Sequence, residues 1–108
     1  MNLKYDYWTG PINEVERSLI SSIAQYIRHY NNVKIGRTNN PSRRFDDHGR
    51  SSIGWNIMVV KYKTTSANYI NRLEKLLIDR YRPYLLNEIG GGGGPLGDGP
   101  YYLYVLLK

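Results

Sequence analysis

The sequence predicts a small α/β domain of the α+β kind, a three-stranded antiparallel sheet flanked by helices. Three observations carry this: two long stretches whose apolar residues recur at three- and four-residue steps, three short runs rich in β-branched and aromatic residues, and a chain of 108 residues, about one domain in length.

Over residues 11–30, Ile12, Val15, Leu19, Ile23, Ile27 and Tyr30 form one apolar stripe, and Asn31 and Asn32 end the helix. Residues 33–36 (VKIG) read as a short strand. Asn40 can then cap a short helix that starts at Pro41 and stops near Gly49. Residues 55–63 (WNIMVVKYK) are a second strand. Ser66 caps a long helix running to the turn at Arg82-Pro83, with Ile70, Leu73, Leu77, Ile78 and Tyr81 facing inward. Residues 90–100, five glycines followed by PLGDGP, can hold no regular element and are expected to be an exposed connector. Residues 101–107 (YYLYVLL) close the chain as a buried strand. Neither a repeat nor a second domain is visible.

Composition narrows the function classes. The chain holds 15 Lys+Arg against 9 Asp+Glu, a net charge of +6, which makes nucleic acid the leading partner class, although many small proteins are basic for solubility alone. Without cysteine there is no disulfide, thiolate metal site or Cys nucleophile, and two histidines are too few for a His cage, so any metal must be held by oxygen. No apolar run approaches the ~20 residues of a membrane span, so a cytoplasmic protein without membrane contact is expected. Tyrosine is used 11 times against one Phe. Such a surface suits protein or nucleic-acid contact, or a core with wet tips.

Two constellations carry chemistry. Glu74 falls on the helical wheel inside the arc of Ile70, Leu77 and Ile78, where a carboxylate is costly unless a cation compensates it. The bland reading is a Glu that bends out to water or pairs with an Arg. The second is the basic cluster Lys34, Arg37, Arg43, Arg44, His48 and Arg50 around the strand-to-helix step, in which Arg44 and His48, four apart, share a face and can converge on one phosphate. The bland reading pairs Arg43 and Arg44 with Asp46 and Asp47.

The run KIGRTNNPSRRFDDH resembles the YIG segment of GIY-YIG nucleases, with Arg44 eight residues beyond Gly36 and His48 four further on. LEKLLIDRYRPYLLN resembles the metal-binding helix of that family, which implies a metal-ligand role for Glu74 and a supporting, site-orienting role for Asn87. The strand that precedes YIG in the family is absent upstream. YYLYVLL resembles it, with Tyr102-Leu103-Tyr104 standing where G-I-Y would, so the resemblance implies a circular permutation closed by the Gly-rich stretch. Lys34 replaces the first Tyr of YIG, and Tyr102 replaces the Gly of GIY.

What the resemblance implies is an endonuclease that hydrolyses DNA phosphodiesters with one Mg²⁺ or Mn²⁺ on Glu74. Arg44 would neutralise charge on the phosphate, and His48 would bond the phosphate or Tyr104. Tyr104 would deprotonate water, which requires its phenol to fall from near pH ~10 under cations such as Lys34 and the metal. Lys34 would otherwise hold that water itself. Arg37, Arg43 and Arg50 would bind the DNA, double-stranded or branched, and a homodimer would enlarge so small a recognition surface. A non-catalytic nucleic-acid-binding module on the same scaffold is the alternative.

Overall fold

A computed structural model describes residues 1–87 and 96–108. In chain order it contains β1 (Asn2–Trp8), α1 (Ile12–His29), β2 (Val33–Thr38), α2 (Pro41–Gly49), β3 (Ile57–Thr64), α3 (Ala67–Tyr81) with a 3₁₀ turn at Arg82–Tyr84, and β4 (Tyr101–Leu107). Of the connector expected at residues 90–100, residues 90–95 lie outside the described residues, and residues 96–100 hold no helix or strand.

The helices begin where the caps place them. Asn40 accepts from the Arg43 amide at 3.1 Å with Pro41 as the first helical residue, and Ser66 accepts from the Tyr69 amide at 3.1 Å. Each cap satisfies one amide that the first helical turn leaves without a partner. The stripe of α1 buries Ile12, Val15, Leu19 and Ile23, and that of α3 buries Ile70, Leu73, Leu77 and Ile78 together with Glu74.

The expected three-stranded antiparallel sheet is corrected to four strands of mixed sense, in the order β1-β3-β4-β2. β4 lies inside the sheet, antiparallel to β2 and β3, while β1 adds to β3 in parallel. The missed strand has little to bury: of Asn2–Trp8 only Leu3 is partly covered, so no apolar face marks it, and its backbone pairing holds it. β4 is apolar throughout because both its faces are covered. Leu103, Val105 and Leu107 join the core under α1 and α3, and Tyr104 and Leu106 join a second cluster with Trp55, Met58 and Val60 on the opposite face.

The terminal strand pairs with the Gly36 segment as expected, from Val33↔Leu107 to Thr38↔Tyr102. β2 would otherwise be a bare edge. The chain leaving α3 covers it: the Leu86 amide donates to the Val33 carbonyl at 2.9 Å, and Asn87 both accepts from the Ile35 amide at 2.9 Å and donates to the Ile35 carbonyl at 2.6 Å. The Asn87 side chain thus does what a further strand would do for β2.

Candidate active site

The Tyr104–His48 half of the site lies on the sheet face that carries α2. Gly36 stands opposite Tyr104 in the β2/β4 register, and a Cβ at Gly36 would collide with the Tyr104 ring and hydroxyl. The glycine is the seat of the tyrosine. From α2, His48 Nε2 lies 2.9 Å from the Tyr104 hydroxyl, although the residues are 56 apart in sequence, and the rings are tilted at 58° with centroids 5.5 Å apart.

Both groups are pushed towards their neutral forms. His48 falls from 6.5 to about 4, chiefly through burial, then through the charges of Lys34 and Arg44, with Asp47 opposing. Tyr104 rises to about 12, again chiefly through burial; Arg44 opposes the rise, and Glu74 and Asp47 add to it. The downward shift that a tyrosine base requires is therefore absent in the chain by itself. Its ring is only 4% exposed, and an anion there loses most of its hydration.

Glu74 is buried on α3 as the helical wheel indicates, and its compensating cation is Arg37 of β2, whose Nε donates to Oε1 at 3.0 Å. Burial raises the Glu74 pKa, and the Arg37 charge and hydrogen bond pull it back. Arg37, expected on the DNA-binding face, is thus engaged with the acid, its side chain 13% exposed.

The charges of Lys34 and Arg44 reach His48, and those of Arg44 and Glu74 reach Tyr104, with Glu74 and Arg37 on the α3 side of the sheet and Tyr104 and His48 on the α2 side. Arg43 and Arg50 stay exposed on α2 and just beyond it, Arg50 lying 4.0 Å from Asp47. Among the described residues no ion pair joins Arg43 or Arg44 to Asp46 or Asp47. Asn87 contacts β2 backbone, so it acts on the site by fixing the strand that carries Lys34, Gly36 and Arg37. Sequence reasoning treated Asp47 only as a surface partner, yet its charge acts on both His48 and Tyr104; its place one residue before His48 was the available signal.

For a cation, the described residues offer no group of three or more His, Cys, Asp or Glu side chains. Glu74 supplies a carboxylate from α3, and Arg37 engages it through Oε1. Beside His48 a cleft of about 510 Å³ opens, lined by Phe45, Asp46, Arg50 and Trp55 among others. No helix among the described residues is long and apolar enough to cross a membrane.

Neither a curated protein nor a solved structure matches the chain. The model of one family, described as the T5orf172 domain, matches residues 20–93, from the middle of α1 through β2, α2, β3 and α3. That span covers Lys34, Arg37, Arg44, His48, Glu74 and Asn87, and the chain accordingly belongs to the T5orf172 domain family.

Proposed function

We propose that the protein is a metal-dependent DNA endonuclease with a GIY-YIG-type site assembled in permuted order, β4 serving as the strand that precedes β2 in that family. The observation that carries this is Tyr104 seated on Gly36 with its hydroxyl 2.9 Å from His48, from elements 56 residues apart in the chain.

Mg²⁺ or Mn²⁺ fits the donor set, since such ions are commonly held by one carboxylate, several waters and the substrate phosphate. Glu74 would hold the ion, whose charge would stabilise the leaving oxygen. Arg44, exposed at the edge of the site, neutralises the attacked phosphate. Lys34 adds a second positive charge on the His48 side.

The Tyr104–His48 pair handles the proton. With the imidazole proton on Nδ1, Nε2 accepts from the Tyr104 hydroxyl. As the attacking water gives its proton to the Tyr104 oxygen, the Tyr104 proton passes to Nε2, the water oxygen bonds to phosphorus, and the departing oxygen takes a proton from solvent. A bound phosphate offsets Lys34 and Arg44, two of the three influences that depress His48, so substrate itself makes the imidazole a better acceptor. Tyr104 then relays a proton without becoming an anion in a buried place.

The Arg37–Glu74 ion pair favours a second reading, a non-catalytic nucleic-acid-binding module, because it gives Glu74 a partner without a metal. Nicking of supercoiled plasmid separates the two. The nuclease converts plasmid to open circles in Mg²⁺ or Mn²⁺ and stops in EDTA, with Arg44→Ala losing far more turnover than Arg43→Ala. Plasmid retained on the protein but never nicked would establish the binding module instead.

A further inference from the structure

The abundant tyrosines are not used up by the Tyr104 site. Tyr102, two residues before Tyr104 on β4, lies on the same face of the sheet and meets Tyr7 of β1 edge to face, with ring centroids 6.5 Å apart. Tyr5 precedes Tyr7 by two residues on the same strand. Tyr5 and Tyr7 are 53% and 40% exposed, so much of each side chain lies in water. β3 contributes Lys63, whose Nζ sits 5.8 Å from the Tyr102 ring centroid. The acid of β1, Asp6, pairs instead with Lys61 at 3.6 Å, and Lys61 packs beneath Trp8 and Tyr26, which places this pair on the helix side. The open face is thus left with tyrosines and a lysine, in a row that begins at the cleavage site.

We infer that this row is a stacking platform for unpaired nucleotides, carrying a single-stranded DNA segment from the Tyr104 site across β4 and β3 to β1. Exposed phenols offer flat surfaces that any base can cover, and Lys63 supplies a charge for the backbone. In a duplex the base faces are occupied by one another, so such rings select strands that are already open. The inference rests on the nuclease reading for where the strand leads, and it deepens that reading by naming the substrate: DNA with an unpaired segment beside the cut, such as a flap or fork. β1, β4 and their tyrosines lie outside residues 20–93, so the platform is a property of this chain beyond the family span.

Fluorescence anisotropy in EDTA tests it, using a short labelled oligothymidylate and a blunt duplex, with the wild type and three double variants at Tyr5 and Tyr7: both to Ala, both to Leu, and both to Trp. Single-strand affinity falls at least about ten-fold with Ala and with Leu, holds with Trp, and duplex affinity stays within about two-fold throughout. Unchanged single-strand binding in the Ala variant, or an equal loss on duplex, overturns the platform. So does binding that Leu preserves, which would make the face a generic apolar surface. Both side chains are exposed, and unchanged melting temperatures verify the fold. Binding is read without metal, so a wild type that never nicks plasmid but binds oligothymidylate through these rings refutes the nuclease reading alone. A nuclease whose Ala variant cuts flaps as fast as the wild type refutes the platform alone.

Discussion

Gly36→Ala isolates the contact on which the site is built. Gly36 is not among the glycines with positive φ, so its backbone suits alanine and only the Tyr104 ring stands in the way. That ring is nearly fully buried, with His48 at its hydroxyl. Overpacking of this kind costs about 1–3 kcal/mol, from which the lower entropy of an unfolded alanine recovers about 0.4–1 kcal/mol. A net loss of about 1–2 kcal/mol lowers the melting temperature by roughly 4–16 °C in a domain of this size. Urea unfolding of Gly36→Ala, Tyr104→Ala and the double variant makes the test specific. Once the ring is gone the extra methyl has room, so the double variant is more stable than the sum of the two single losses by the whole overpacking cost, about 1–3 kcal/mol. Additivity within about 0.3–0.5 kcal/mol would refute the contact and the seat it assigns to Tyr104.

Asn87→Ala removes both bonds to Ile35 and leaves a backbone amide of β2 without its partner; a loss of about 1–3 kcal/mol is expected, with the Ile35 amide exchanging faster by NMR. Between pH 6.5 and about 4 an unfolded His48 binds a proton that the folded one refuses, so the unfolded state takes up more protons and stability falls as pH drops through that window. His48→Asn flattens this part of the curve of urea midpoint against pH; an unchanged curve would show that His48 is neither buried nor crowded by charge.

The helices were legible because their signals are local: caps at Asn40 and Ser66, a stripe on α1, and a stripe on α3 that exposed Glu74 as an acid out of place. The terminal strand was legible as buried because a run as apolar as YYLYVLL must be covered on both faces, and its place beside β2 came from its resemblance to the strand that precedes YIG. β1 escaped for the opposite reason. Its residues do alternate, Leu3, Tyr5 and Tyr7 against Lys4, Asp6 and Trp8, but nearly all are exposed, and alternation without a greasy face reads as surface chain. Arg37 belongs beside Glu74 because both turn inward where β2 meets α3, a pairing across 37 residues that no local pattern encodes. The direction of the Tyr104 shift was likewise hidden: the cations nearby are visible in the sequence, whereas the burial that outweighs them depends on how α2 closes over β4.

The most direct measurement is plasmid nicking in Mg²⁺ by Glu74→Gln beside the wild type, with DNA binding and a thermal melt recorded on the same samples. Glutamine keeps an oxygen to accept from Arg37 and the shape of the buried side chain, but removes the charge that would hold the ion. The account predicts wild-type nicking that the variant abolishes, while the variant stays folded and binds plasmid within about two-fold of the wild type, because the basic residues of β2 and α2 are untouched. Nicking by Glu74→Gln at the wild-type rate would contradict it.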